Sequence, residues 1–376
     1  MRLCLSWVCL LCALPRSGLP FSLVTYNADG NCTCSSNWNI SLPLVAAQGR
    51  EMMYLNPDII TFNEIPQAYT FQMTNFVSAF LPGYYAATNS QGDGFITSVI
   101  VSRYPILSSR SHLHHVSLTA FGATGYSFTR DLFQASLSVP ELPQPLDVFV
   151  THLKATGSTS PQTDAMRRAA EAAAISNWFA TVYLPTNGGR LFTLSGDMNE
   201  DIARPGTNYI SAHPIQTLAS PATDLRLTTP VNPFNSSELT ESIQTVLDVR
   251  FDYIFPCSSL FSNIASSQVF RTDLLPNPPP PLLSGDDRTA SDHLPVIMVF
   301  NNPTLQPFEL LSIHLANQAV TLTWESGAGQ QYRVEASSNL TAWVAASGDL
   351  MATGTTRSFT TNQVNDQKFF RVRRLP

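Results

Sequence analysis

Ser195-Gly196-Asp197-Met198-Asn199 follows an apolar run at 191–194. The run reads as a strand, and the residues after it are a glycine, a carboxylate and a carboxamide. A sheet displays reactive groups in this way, because the strand fixes them and the loop leaves them open to solvent. The arrangement recurs in Thr25-Tyr26-Asn27-Ala28-Asp29 and in Ile60-Thr61-Phe62-Asn63-Glu64. Ser291-Asp292-His293-Leu294-Pro295 shows it at the start of a strand-like run. Several oxygen ligands with one imidazole suit a hard divalent cation and phosphate chemistry.

Outward from these stretches, residues 21–300 alternate strand-like and helix-like patterns. Strands are expected near 22–26, 58–62, 96–102, 128–138, 146–152, 191–194, 250–255, 268–270 and 296–300. A helix over 44–55 stops at Asn56-Pro57, and one over 71–80 stops at Pro82-Gly83. The clearest helix starts at Ser160-Pro161, with Ala165, Ala169, Ala172, Ile175 and Phe179 on one face. Many strands with few helices predict an α+β fold of two packed sheets flanked by helices. Residues 303–308 read as a linker, and 309–376 as a small antiparallel β-sandwich. Its strands are expected at 319–324, 332–336, 343–345, 358–361 and 369–373. It has no titratable cluster, which suggests a binding, spacing or stabilising module.

Residues 1–19 read as a secretory signal, with Arg2 as the positive end and an apolar run over 3–14 too short to span a bilayer. The expected location is therefore secreted, extracellular or periplasmic, with no transmembrane segment after removal. Cys32, Cys34 and Cys257 would remain; either of the first two could pair with Cys257, or all three stay free. The 376 residues are 44% hydrophobic and 13% charged, as in a globular protein. Formal charge is −6, and the only lysines are Lys154 and Lys368. That gives no long-range attraction for nucleic acid, although a bound cation can supply positive charge locally.

At these motifs, over roughly residues 20–300, the chain resembles the endonuclease/exonuclease/phosphatase superfamily (DNase I-like). The resemblance implies a four-layer α/β/β/α sandwich with the site at one end of the sheets. By position, Asn27 and Asp29 match the family's first element, near metal and phosphate. Glu64 matches the principal metal-binding glutamate. His152, in Val150-Thr151-His152-Leu153-Lys154, matches a histidine that contacts the scissile phosphate in secreted members. Asp197 and Asn199 match the pair that positions the attacking water. Asp252 matches an aspartate that orients the last histidine, and Asp292 and His293 match the element carrying that histidine. Residues 309–376 resemble modules appended to secreted bacterial proteins.

The chemistry agrees with those types. A cation bridging a phosphate oxygen offsets the repulsion between a phosphodiester and its nucleophile. Glu64 with Asp29 or Asp292 would hold Mg²⁺, with Mn²⁺ or Ca²⁺ as alternatives. Either the Asp197–Asn199 pair or His293 supplies the base. Lys154 is expected at the phosphate, and Arg130 is either there or in an ion pair. His112-x-His114-His115 reads as a solvated loop. The expected protein is a monomeric, secreted, metal-dependent nuclease. Alternatives are a phospholipid phosphodiesterase or phosphatase of the same fold, and a surface-binding protein whose C-terminal module contacts polysaccharide or the cell surface.

Overall fold

The computed structural model describes residues 20–30, 38–140, 142–157, 160–203, 213–301, 308–316, 319–327, 331–362 and 369–375. The expected signal, residues 303–307 of the linker and Cys32 and Cys34 lie outside them. The chain divides into two compact units at Pro303/Thr304.

The larger unit carries strands β1 (Phe21–Asn27), β2 (Ile59–Pro66), β3 (Tyr85–Thr88), β4 (Ile96–Ser102), β5 (Ile106–His112), β6 (Leu132–Leu137), β7 (Leu146–Thr151), β8 (Phe192–Asp197), β9 (Asp252–Pro256), β10 (Ile264–Val269) and β11 (Val296–Phe300). Its main helices are α1 (Pro43–Leu55), α2 (Met73–Phe80) and α3 (Pro161–Trp178). One sheet has the order β10-β11-β1-β2-β4-β3, the other β5-β6-β7-β8-β9.

Period-2 alternation sorts the layers. On β1, Val24 and Tyr26 join Val45 and Met52 of α1 and Phe76 of α2 in one core. Phe21 and Leu23 turn the other way, into a core shared with the second sheet and with Ile175 and Phe179 at the α3 end. The result is the four-layer α/β/β/α sandwich, helices outside and two sheets within. No helix of the described residues is long and apolar enough to cross a membrane.

Between the sheets the contact turns polar toward one end. Thr61 on β2 meets Ser195 on β8 at 2.8 Å, and Asn63 Oδ1 accepts the Asp197 N–H at 2.9 Å. Buried polar pairs of this kind fix register, because each member left unpaired would cost about 1–3 kcal/mol. Gly196 leaves room on both sides: its φ is +134°, and a Cβ there would lie 2.8 Å from Asn63 Oδ1 on the other sheet and 1.9 Å from the Thr151 carbonyl oxygen on the neighbouring strand.

The helix starting at Ser160-Pro161 forms as expected, but its buried face is more polar than its alanines suggest. Asp164, Arg168 and Glu171 are buried beside Ala165, Ala172 and Ile175. Glu171 accepts the N–H groups of Thr129 and Lys154, and Arg168 pairs with Glu200. The helix thus anchors the loops after β7 and β8. His112 ends a strand rather than lying in a solvated loop. It bonds Gln134 and packs 4.4 Å from Trp178, and burial lowers its pKa. Cys257 is buried, with no disulfide partner among the described residues.

The smaller unit holds β12 (Leu310–Ala316), β13 (Ala319–Glu325), β14 (Gln331–Ser337), β15 (Val344–Ala345), β16 (Leu350–Met351), β17 (Thr356–Asn362) and β18 (Phe369–Arg374). They form a three-stranded sheet, β12-β13-β17, and a four-stranded one around β14, all antiparallel. Val320, Leu322, Trp324, Tyr332, Val334 and Val372 fill the core between them.

Candidate active site

Parallel pairing sets Asn27 beside Asn63 at the ends of β1 and β2. On the other sheet, antiparallel pairing sets Asp197 opposite Asp252. Strict alternation on β2 would turn Glu64 toward the helices. A bulge between Phe62 and Ile65 breaks the pairing with β4 there, and Glu64 adopts φ +57°. Bulges re-aim side chains in this way. Asp29 and Asn199 are also left-handed, at φ +46° and +49°. Strained backbone at three motif residues is a mark of functional sites.

Asn27 is the hub. Its Nδ2 stands 2.9 Å from Asp197 Oδ2, 3.2 Å from Glu64 Oε1 and 3.5 Å from His293 Nε2. Its Oδ1 accepts the Asp29 N–H. One buried carboxamide therefore touches groups from three other segments. Asn199 donates its backbone N–H to Asp197 Oδ1 at 2.8 Å and its side-chain amide to the Leu153 carbonyl.

Among the described residues, two clusters contain side chains able to bind metal. In the first, ligand atoms of Glu64, His152 and Asp197 lie within 4.8 Å of one another; in the second, those of Glu241, Asp292 and His293 do. Asp197 and His293 link them at 3.8 Å. Asp29 belongs to neither. His152 is 1% exposed, yet among the described residues neither ring nitrogen has a hydrogen-bond partner. An orphaned buried imidazole, 3.3 Å from Asp197 and 3.9 Å from Glu64, fits a site built for a ligand. Two carboxylates and one imidazole are an acceptable donor set for Mg²⁺ or Mn²⁺.

The two histidines are pushed in opposite directions. Burial lowers His152 well below the usual histidine range, and Arg130 adds to this, so it is neutral at pH 7. Burial acts on His293 too, but the carboxylates of Asp252, Asp197 and Asp292 outweigh it and hold it well above that range. Asp252 is fully buried and accepts from His293 Nδ1 at 2.7 Å, which leaves Nε2 facing the site. Burial first, then Asp252 and Glu64, raise Asp197 to about 7 against the pull of His293. Glu241 is raised to about 6, chiefly by burial.

Lys154 and Arg130 are engaged elsewhere. Lys154 Nζ lies 3.3 Å from Asp164 and donates to the Ala155 carbonyl. Arg130 pairs with Asp93 at 3.1 Å and donates to the carbonyls of His152 and Leu153. Three residues that the motifs did not single out also shape the site. Asn63 joins the sheets, Ser291 Oγ ties the Asn27 carbonyl to the His293 N–H, and Glu241 forms part of the second cluster. Asn63 and Ser291 stood inside quoted motifs; nothing in the sequence marked Glu241.

This architecture is the endonuclease/exonuclease/phosphatase fold. No family model matches the sequence, and no curated protein matches it. Solved structures do. Humanized D. rerio TDP2 carrying 14 mutations is 16% identical with a TM-score of 0.51, the match covering 75% of this chain and 99% of that one. An endonuclease/exonuclease/phosphatase family protein from Leptotrichia buccalis is 14% identical with a TM-score of 0.52, covering 75% and 100%. The human Nocturnin catalytic domain with bound sulfate anion is 15% identical with a TM-score of 0.51, covering 75% and 94%. Identities this low establish the fold alone.

Proposed function

We propose that this chain is a divalent-cation-dependent phosphodiester hydrolase. The observation that carries the reading is the convergence on Asn27: its buried side-chain amide donates to carboxylates of two other motifs, Asp197 and Glu64, and lies 3.5 Å from His293 of a third. Glu64 would hold the cation with His152 and Asp197, and Asp292 approaches from the second cluster. A bound cation would neutralise charge on the phosphoryl oxygens. The protein's own residues do the rest. Asp197 would orient the attacking water and take its proton, and Asn199 helps hold that carboxylate in place. His293, kept cationic by Asp252, offers its Nε2–H to a phosphoryl oxygen. Secretion belongs to this reading and rests on residues 1–19.

Nucleic acid is the substrate expected from the sequence, and a phospholipid diester presents the same reacting group. The test of the chemistry avoids that choice. The wild-type chain should hydrolyse bis(p-nitrophenyl) phosphate with Mg²⁺ or Mn²⁺, stop with chelator, and lose activity in His293→Ala. Cleavage that persists in a folded His293→Ala variant would remove this site from the reaction.

A further inference from the structure

Glu241 is the member of the two metal-capable clusters to which the proposed reaction gives no task. It stands outside the cluster of Glu64, His152 and Asp197, and Asp252 already holds His293 Nδ1. Backbone contacts fix its place. Glu241 bridges both Val249 and His293. The Ile243 N–H donates to the Asp292 carbonyl at 3.0 Å, and the Leu294 N–H to the Thr240 carbonyl at 2.7 Å. Thr240 Oγ1 accepts the N–H groups of Phe251 and Asp252. Residues 240–243 are therefore tied to both halves of the Asp252–His293 pair.

The side chain is held differently. Among the described residues, no hydrogen bond or ion pair fixes the Glu241 carboxylate. It is half-buried, and it lies within 4.8 Å of ligand atoms of both Asp292 and His293. Two carboxylates this close repel each other, and burial weakens the hydration of each. His293 offsets part of that cost, but Asp252 and Asp197 already flank the same ring. A charge that the fold does not need, kept beside the reacting groups, marks a functional demand.

The demand follows from what the site receives. A phosphoryl oxygen bonded to His293 lies within roughly 8–10 Å of the Glu241 carboxylate, about a Debye length, so salt screens the two little. The nearby cations do not mask that charge. Arg130, Lys154 and Arg250 are paired with Asp93, Asp164 and Glu238. A phosphodiester carries one negative charge, whereas a phosphomonoester carries two above a pH of about 6. The second charge meets repulsion from Glu241. At an effective dielectric constant of about 20 and a separation of about 7 Å, one such repulsion is worth roughly tenfold to fiftyfold in rate.

We propose that Glu241 is a specificity residue: its carboxylate excludes a second negative charge on the phosphate, so that the site takes phosphodiesters and turns away phosphomonoesters. This rests on the hydrolase reading above and narrows it.

The test compares kcat/KM for bis(p-nitrophenyl) phosphate and for p-nitrophenyl phosphate at pH 8 and saturating Mn²⁺. The proteins are the full chain as wild type, Glu241→Gln and Glu241→Asp, each checked by circular dichroism. Wild type should prefer the diester. In Glu241→Gln the diester-to-monoester ratio should fall roughly tenfold or more, because the monoester rate rises. Glu241→Asp keeps the charge and should keep the ratio within about threefold. Glu241→Ala carries the same expectation as Glu241→Gln and replaces it if that variant does not fold. A neutral variant whose ratio stays within about threefold of wild type overturns the proposal, as does a wild type that prefers the monoester. So does a neutral variant that loses both activities together and regains them at higher Mn²⁺, since Glu241 would then be a cation ligand. A wild type that hydrolyses neither ester overturns the hydrolase reading itself, so the two ideas fail separately.

Discussion

Asp252→Asn isolates the charge that the site places behind His293. Asparagine keeps the volume, and its carbonyl oxygen can still accept from Nδ1, now 2.7 Å from the carboxylate. What disappears is the negative charge. Asp252 is fully buried and His293 is 5% exposed, so little water screens the pair. Removing one partner of a buried, charge-assisted pair costs about 3–5 kcal/mol. If the reaction needs the imidazolium, most of that cost appears in the barrier, and kcat/KM falls by roughly 10²–10³. Without Asp252, burial competes only with Asp197 and Asp292, so the His293 pKa falls. The assay is bis(p-nitrophenyl) phosphate hydrolysis at saturating Mn²⁺ from acid to alkaline pH, on variant protein checked for folding. The alkaline limb of the profile should move to lower pH as the rate drops. A rate within about threefold of wild type with an unmoved limb would show that Asp252 does not govern the charge of His293.

Three further outcomes follow from named groups. Burial above all pushes the Glu51 carboxyl, held by Tyr26 and Thr272, from 4.5 to about 8. A raised folded-state value means a stabilising contribution present below about 4.5 and lost as pH climbs through about 8, on the order of 5 kcal/mol at most; urea unfolding of Glu51→Gln should lack that decline, and equal slopes in the two proteins would refute it. Gly196→Ala puts a Cβ 1.9 Å from the Thr151 oxygen at φ +134°, so it should cost more than about 3 kcal/mol and lower Tm sharply; an unchanged Tm would show that the close approach of β7 to β8 at Gly196 yields easily. Millimolar Mn²⁺ should raise the Tm of wild type but raise that of Glu64→Gln much less, because a ligand stabilises only the state that binds it; equal shifts would place the cation elsewhere.

What the sequence showed of the fold depended on how covered each strand is. The central strands β1, β2, β4, β7 and β8 are buried nearly throughout and stood out as apolar runs. Tyr85–Thr88, Ile106–His112 and Leu310–Ala316 passed unread, and each is the edge of its sheet. An edge strand has a neighbour on one side only, and its composition is free to be polar. Ile106–His112 carries Ser108, Ser109, Arg110 and Ser111 in sequence and is mostly exposed. The polar residues buried on α3 were hidden for a related reason. Asp164, Arg168 and Glu171 look like a solvent face until the loops they bind are in place.

For the site, residue types were legible and their states were not. Asn27, Glu64, Asp197 and His293 could be picked out because each is beside its strand in the chain. Glu241 could not, since only backbone bridges to Val249 and His293 bring it there. An ion pair was one of the two readings of Arg130, but the sequence could name neither its partner, Asp93, nor that of Lys154, Asp164, which the fold supplies. His152 and His293 make the point most sharply. They are the same side chain, both buried, in stretches that each put the histidine beside a strand. His293 meets a buried carboxylate at 2.7 Å and becomes a cation; His152 lacks that bond, lies near Arg130, and stays neutral. The division between a cationic and a neutral imidazole is thus written by register and burial, in particular by Asp252 facing Asp197 across β8 and β9. Exchanging those two environments would exchange the charge states without changing either histidine.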